Sequence, residues 1–262
     1  MKLTIVGCSG SFAGPQSPAS CYLLQAADGN GKTWSVLLDL GAGAFGALQK
    51  YIDPTDLDAV LISHLDPDHC VDLAGLRVWR HYHPHDAQLS IPIYAPQGGA
   101  AFMAQLAGAG EEPNPSEVLE HRPWVTGVPL PIGPFTVMVE QVNHPVEAYG
   151  MRISGPSSQP GTVSSVVLSF SGDTDDCREL DLLAAEADLL LIEAGFTESR
   201  DEPRDIHLTG ARAGAVAARN RVGRTVLTHI PPWNDPKEIL AEAKRTHHGP
   251  IDLAIPGAIF TL

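Results

Sequence analysis

A short segment of the sequence concentrates side chains that can bind metal ions. Four potential ligands fall within six positions of SHLDPDHC, residues 63–70: His64, Asp66, Asp68 and His69. Imidazole and carboxylate hold borderline and hard divalent cations, and a tight turn lets alternate side chains converge on one point. A solvated polar turn would account for any one of these residues. The four together, with no Lys or Arg among them, predict a metal site, because buried like charges need a cation.

Three more residues of the same chemistry stand where predicted strands end: His144, Asp173 and His229. A single His at a strand end is more often a hydrogen-bonded structural residue than a ligand. The recurrence of such residues at several strand ends favours one shared site, since functional side chains collect on loops held by a rigid scaffold.

Composition narrows the classes of function. The 262 residues contain 17 Lys and Arg against 31 Asp and Glu, a net charge of −14, which argues against a bulk nucleic-acid binder. With 44% hydrophobic residues the chain can bury a large core. No apolar run approaches the roughly 20 residues of a membrane span. The apolar run in MKLTIVG breaks at Gly7 and is too short for a signal-peptide core. Four cysteines without a CxxC pair are interpreted as thiols, so we expect a cytoplasmic protein.

The elements that must position these residues follow from apolar periodicity. Predicted strands lie at 3–6, 21–24, 36–39, 59–62, 91–94, 135–142, 149–153, 163–170, 188–193, 225–228 and near 253. Predicted helices lie at 43–52, 71–81, 98–107, 175–187, 209–219 and 236–246, and residues 111–117 predict a surface loop. Each half of the chain, about 1–130 and 131–262, is β-rich first and βα later. This order predicts one domain over 1–262, built as a pseudo-duplicated α/β sandwich.

The ordered motifs resemble the metallo-β-lactamase fold. They are HLDPDH followed by GL at 75–76, NHP at His144, SGDT at Asp173, EAGFT at 193–197, HLTG at His207 and LTHIPPW at His229. Within that fold the chain is similar to the ribonuclease Z-like branch, and most of all to actinobacterial proteins proposed to hydrolyse cyclic nucleotides. The resemblance covers nearly the whole chain and implies a four-layer αβ/βα sandwich.

The same resemblance implies two divalent metal ions, Zn²⁺ or Mn²⁺/Fe²⁺. It assigns His64, position 66 and His144 to one ion, and it assigns Asp68, His69 and His229 to the other, with Asp173 bridging both. A hydroxide shared by the ions would attack phosphorus in line.

The two catalytic roles that the resemblance implies belong to Asp68 and His207. Asp68 would orient the hydroxide, and His207 would protonate the leaving alkoxide. Two alternatives stay open here. His207 could instead be a helix-capping partner beside Thr209, and Asp205 could either orient His207 or be a surface carboxylate.

One residue departs from the family motif HxHxDH. Asp66 stands where the second His belongs, and its carboxylate reaches about as far as an imidazole Nδ1. The change adds a negative charge to the ligands, so the first site should prefer harder ions such as Mn²⁺ or Fe²⁺ and act as a weaker Lewis acid.

The spacing of motifs bears on the substrate. Ribonuclease Z proteins of the bacterial type carry a tRNA-gripping arm between the residues that correspond to His144 and Asp173, and the 28 residues here leave no room for one. This favours a small phosphodiester, with 3′,5′-cyclic nucleotides leading. A ribonuclease Z-like nuclease, another ester or lactone hydrolase, and a metal-weakened nucleotide-binding protein are the alternatives. The resemblance also implies a homodimer as a partner state. Trp233 could stack on a nucleobase or pack within its loop.

Overall fold

The computed structural model describes residues 1–84, 90–106, 108, 118–158 and 165–262. Its strands form two seven-stranded mixed sheets. The first sheet has the order β14-β1-β2-β3-β4-β5-β6, with β1 (Lys2–Gly7), β2 (Cys21–Ala27), β3 (Thr33–Leu38), β4 (Ala59–Leu61), β5 (Ile91–Ala95), β6 (Leu119–Pro123) and β14 (Ile259–Thr261). The second has the order β13-β12-β11-β10-β9-β8-β7, with β7 (Leu130–Ile132), β8 (Phe135–Gln141), β9 (Tyr149–Pro156), β10 (Ser165–Phe170), β11 (Leu189–Glu193), β12 (Thr225–Thr228) and β13 (Ile251–Leu253).

Helices cover the outer face of each sheet, which gives the four-layer αβ/βα sandwich that the motifs predicted. On the first sheet they are α1 (Ala44–Leu48), α2 (Pro67–Cys70), α3 (Leu73–Tyr82) and α4 (Gly99–Leu106), and on the second α5 (Arg178–Ala184), α6 (Gly210–Arg219) and α7 (Pro236–Thr246). None of the helices in the described residues is long and apolar enough to cross a bilayer.

The central strands are apolar on both faces because both faces are buried. In β11, Leu189 and Leu191 point into the core between the two sheets, whereas Leu190 and Ile192 point into the core under α6 and α7. The same alternation recurs in β3, β4 and β1. Strands buried on both sides read as continuous apolar runs, so these short segments were recognisable in the sequence.

Parallel pairing places the loops after the central strands at one edge of the sandwich. β3 pairs in parallel with β4, and β11 pairs in parallel with both β10 and β12. The first residues after these strands are Asp39, Ile62, Ser171, Ala194 and His229. Residues far apart in sequence therefore meet at the carboxyl ends of the strands.

Most predicted elements are confirmed, with shorter helices and three further strands. The helix predicted at 43–52 is only α1, and the one predicted at 175–187 is only α5, because residues 175–177 lead into it as a loop anchored by Asp175. The strands β6, β7 and β14 were not predicted; β6 and β7 contain Pro, and β14 has only three residues. The predicted loop at 111–117 and the start of the strand predicted at 163–170 lie outside the described residues.

Candidate metal centre

The first group of potential ligands surrounds the end of β4. The Asp66 Oδ2 atom lies 3.7 Å from Nε2 of both His64 and His144. His64 is fully buried, and its Nε2 has no hydrogen-bond partner, whereas its Nδ1 lies 3.0 Å from the Ser63 hydroxyl. A buried imidazole nitrogen without a partner is costly unless something occupies the space it faces. All three potential ligand atoms lie within 4.8 Å of one another.

The second group forms where α2 meets the turn after β12. Pro67 takes the first position of α2, where a missing N–H costs nothing, and the helix then carries Asp68 and His69 into the protein. His229 Nε2 lies 3.1 Å from Asp68 Oδ2 and 3.2 Å from His69 Nε2. These atoms and Asp173 again lie within 4.8 Å of one another.

Asp173 joins the two groups. Its Oδ2 atom lies 3.2 Å from Nε2 of His69 and of His229, and 3.7 Å from Nε2 of His64. One carboxylate thus faces ligands of both groups. The structure therefore brings together all seven residues that the sequence singled out, at one edge of the sandwich.

The electrostatics of this cluster favour cations. Across the described part of the chain, the ion-pair partners of Asp66, Asp68 and Asp173 are all histidines. Burial opposes a charge on His69, yet the carboxylates of Asp173 and Asp39 raise the pKa of His69 well above its ordinary value. Burial and the charge of His69 together lower the pKa of His64 to about 3, which leaves its ring neutral and able to bind a metal.

The chain matches the family model described as the beta-lactamase superfamily domain over residues 35–230. It belongs to the beta-lactamase superfamily. An uncharacterised protein of Mycobacterium leprae is 42% identical over all of this chain and 89% of its own length. The Bacillus subtilis protein named "Probable metallo-hydrolase YhfI" is 28% identical over 99% of both chains.

Solved structures share this fold. The crystal structure of YhfI, described as a metallo-beta-lactamase fold protein, superposes with a TM-score of 0.85 at 26% identity over 99% of this chain and 98% of that one. The short form of human tRNase Z superposes with a TM-score of 0.75 at 20% identity over 100% and 99% of the chains. The resemblance drawn from the motifs is confirmed. The superfamily and the ligand cluster identify a metal-dependent hydrolase that uses divalent ions.

A second layer of contacts orients the histidines of this superfamily member. Asp39 accepts hydrogen bonds from the Ser63 N–H at 2.7 Å, the Ser63 hydroxyl at 2.9 Å and His69 Nδ1 at 2.7 Å. His144 donates from Nδ1 to the Ile206 carbonyl at 2.9 Å. Such partners fix which ring nitrogen faces the metal. In both rings it is Nε2 that points into the cluster.

The backbone is strained where it presents these groups. Asp39 has φ of 59° and His229 has φ of 56°, a conformation that costs non-glycine residues about 1 kcal/mol or more. Gly41 packs so closely that an added Cβ would lie 1.8 Å from the Asp68 carbonyl oxygen. Only glycine fits there, and the close approach holds α2 against the turn that carries Asp39.

His207 stands beside the cluster and is held by a buried carboxylate. Its ring centroid lies 5.3 Å from that of His229, and its Nδ1 donates to Glu193 Oε1 at 2.8 Å. Burial lowers the pKa of His207, but the charge and hydrogen bond of Glu193 outweigh it and raise the pKa to about 9. Thr209 caps α6 with its own hydroxyl, which accepts from the Arg212 N–H. The capping interpretation of His207 is therefore wrong.

Two residues that serve the site were missed in the sequence. Glu193 holds His207, whereas Asp205 accepts a hydrogen bond from Asn143, so the suggestion that Asp205 orients His207 is wrong. The apolar run 36–39 predicts Asp39 only as the end of a strand. Both carboxylates end apolar strands and are buried. A lone acidic residue that closes an apolar run was the signal that could have found them.

Proposed function

We propose that this hydrolase is a phosphodiesterase that opens the ring of 3′,5′-cyclic nucleotides. The observation that carries the proposal is the position of His207, a proton donor held by Glu193 beside a cluster in which Asp173 joins two groups of ligands. The first group would be His64, Asp66 and His144, and the second Asp68, His69 and His229. Two divalent ions held by such ligands would supply polarisation of the phosphoryl oxygens and a lowered pKa of water at neutral pH.

The protein's own residues would supply proton transfer and orientation. Asp68 would accept a hydrogen bond from the attacking water. His207 would donate the proton on Nε2 to the 3′ oxygen as the bond between phosphorus and that oxygen breaks, because Nδ1 is committed to Glu193. The oxygen of water forms a bond to phosphorus and one water proton passes to solvent, while the bond from phosphorus to the 3′ oxygen breaks and that oxygen leaves as a hydroxyl with the proton from His207. The product is a 5′-nucleotide, and His207 regains a proton from solvent.

A small substrate is supported by the short connection between His144 and Asp173. Its described residues are taken up mainly by β9 and β10, which pair with each other in the second sheet. The net charge of −14 also disfavours a polyanionic RNA. The four cysteines are all unpaired thiols, which supports the proposal that the enzyme works in the reducing cytoplasm.

A substrate panel with metal analysis of the same sample tests the proposal. The purified protein, loaded in turn with Mn²⁺, Zn²⁺ and Mg²⁺, is assayed with cyclic AMP, bis-p-nitrophenyl phosphate, a precursor tRNA and a lactone. We expect turnover of both phosphodiesters, with 5′-AMP as the product of the first. Cleavage of the tRNA or the lactone without turnover of cyclic AMP would overturn the proposal in favour of a nuclease or a lactonase. Tight nucleotide binding without any turnover would indicate a binding protein.

A further inference from the structure

Two exposed aromatic rings lie against each other beside the candidate metal centre. The ring centroids of Phe12 and Trp233 are 4.9 Å apart with an angle of 44° between the planes. Phe12 is 41% exposed and Trp233 is 60% exposed. Large aromatic side chains usually bury most of their surface, and adjacent exposed rings mark a site of interaction. Neither ring contributes to the hydrophobic cores of the sandwich.

Both rings belong to loops that touch the ligand cluster. The Ser11 amide nitrogen, one residue before Phe12, lies 3.4 Å from Nε2 of His229. Trp233 follows His229 by four residues, which span at most about 14 Å even when fully extended. The two rings are thus at the rim of the site that would hold the phosphate.

The loops that carry the rings are fixed to each other before any ligand binds. The Gly10 N–H donates to the Ile230 carbonyl at 3.2 Å, and the Ser9 hydroxyl donates to the Phe12 carbonyl at 2.7 Å. A Cβ on Gly10 would lie 2.3 Å from the His229 carbonyl oxygen, so the two loops can approach this closely only with glycine there. A rigid aromatic surface loses little entropy on binding a ligand.

Asn234 anchors the far side of the Trp233 loop. It is 8% exposed, its side-chain amide donates to the Gly195 carbonyl at 2.9 Å, and its carbonyl oxygen accepts from Arg200 at 2.9 Å. The position of the Trp233 backbone is therefore tied to the strand end that also carries Glu193.

We propose that Phe12 and Trp233 form a stacking platform for the base of the nucleotide substrate. This inference rests on the proposed function, and it names the residues that would select substrates with a base. In a cyclic nucleotide the ribose joins the phosphate to the base, so a phosphate at the ligand cluster leaves the base at the rim, within reach of the rings. Stacking uses the π-face that every base has, so the platform accepts different bases and favours the larger purines.

The test compares a substrate that has a base with a matched one that lacks it. Trp233→Ala, Phe12→Ala and the conservative Trp233→Phe are assayed with 3′,5′-cyclic AMP and with the 3′,5′-cyclic phosphate of methyl riboside. We expect Trp233→Ala to lower the ratio of kcat/KM for cyclic AMP to kcat/KM for the base-free analogue by about 5- to 150-fold. Trp233→Phe should recover most of the ratio. Leu182→Ala on α5, which removes an exposed apolar side chain that belongs to neither the ligand cluster nor the two aromatic loops, is the matched control.

A second readout does not depend on turnover. Titration of the wild-type protein with 5′-AMP should quench part of the tryptophan fluorescence, and Trp233→Phe should abolish that part while 5′-AMP still binds. A ratio and a quench unchanged in Trp233→Ala would overturn the platform, as would an altered oligomeric state with an unchanged ratio, which would show that the rings pack against a second copy.

The two proposals fail in different ways. If the wild type turns over both cyclic phosphates with equal kcat/KM, the platform is overturned and the phosphodiesterase stands. If it turns over neither, the proposed function itself is overturned.

Discussion

Glu193 binds Nδ1 of His207 through Oε1 at a distance of 2.8 Å, from a position at the end of β11 that is 1% exposed. The same carboxylate accepts the N–H groups of Thr174 and Gly195, each at 2.9 Å. Since a carboxylate can only accept these bonds, Nδ1 of His207 carries hydrogen, and Nε2 is the nitrogen left to serve a substrate. Glu193 therefore acts as a positioning residue for His207.

His207→Ala should slow hydrolysis of substrates with a poor alkoxide leaving group by about 10² to 10⁴. Activated p-nitrophenyl esters need little protonation and should lose far less. Glu193→Gln should show the same dependence on the leaving group in milder form, because the ring loses its orienting charge. Initial rates on both substrate types, with metal content measured alongside, check this. Equal losses on the two types would assign His207 a structural role.

Asp39→Asn should weaken metal binding by about 10- to 100-fold, because it removes the charge that orients His69 through Nδ1. Asparagine tolerates the positive φ at this position, so the fold should survive. Titration against a chromophoric chelator measures the affinity. Asp58→Asn is the control, since Asp58 accepts a backbone N–H from Ser35 near the opposite ends of the same strands. An unchanged affinity in Asp39→Asn would contradict the role of Asp39.

Asp66→His should raise the zinc content of the first site and shift the metal giving the best activity from Mn²⁺ towards Zn²⁺. Asp66 is half-exposed and already faces His64 and His144, so an imidazole can take its place without repacking a core. Asp66→Asn separates loss of charge from gain of a nitrogen ligand. Plasma emission gives the metals per chain for each variant. One metal per chain in the wild type, with full activity, would refute a ligand role for Asp66.

Removal of metal should lower thermal stability. An ion that binds only the folded state adds about 2.7 kcal/mol at a hundredfold excess over its Kd, which corresponds to a rise in Tm of about 5–11 °C for a protein of this size. Calorimetry after EDTA treatment, and again after addition of Mn²⁺, measures the change. Asp173→Asn should lose most of the Mn²⁺ response, because its carboxylate faces both groups of ligands. A wild-type Tm that does not change when Mn²⁺ is added would contradict metal binding at the candidate centre.

Glu242→Gln should stabilise the protein more at pH 8 than at pH 4. Glu242 on α7 is 2% exposed, its Oε1 accepts from the Glu198 N–H, and burial raises the pKa of its carboxyl group. A carboxyl group whose pKa is higher in the folded state than in the unfolded state contributes folding stability at low pH, and this stability is lost as the pH rises through the folded-state pKa. Glutamine cannot ionise, so the variant avoids that loss at high pH. Thermal unfolding at both pH values, with the exposed Glu238→Gln as control, tests the sign. A larger gain at pH 4 would contradict it.

The fold and the residues that cluster at the candidate metal centre could be predicted from the sequence of the chain. The buried strands appear as short apolar runs because both of their faces are covered, as β11 shows. The segment from His64 to His69 was recognisable because it places four ligand-type side chains in six positions. The order of the motifs indicated the family.

The partners of those ligands could not be predicted, because they are brought together by parallel strands that are distant in sequence. Asp39 reaches His69 across 30 residues, and Glu193 reaches His207 across 14. Asp205, two residues from His207, was the nearer candidate in sequence, but its positive φ of 66° and its bond from Asn143 direct it elsewhere. Within this loop, closeness in sequence did not identify the hydrogen-bond partner of His207.

The sequence by itself determined which residue types could bind metal, that the chain forms an α/β sandwich, and that Asp66 replaces a histidine of the family motif. Only the tertiary structure decided that Asp39 holds His69, that Glu193 holds His207, and that Phe12 lies against Trp233. The physical reason is that the periodicity of apolar residues reflects which faces of each strand and helix are buried. Contacts between loops depend instead on sheet order and strand direction, which are settled only when the two sheets pack.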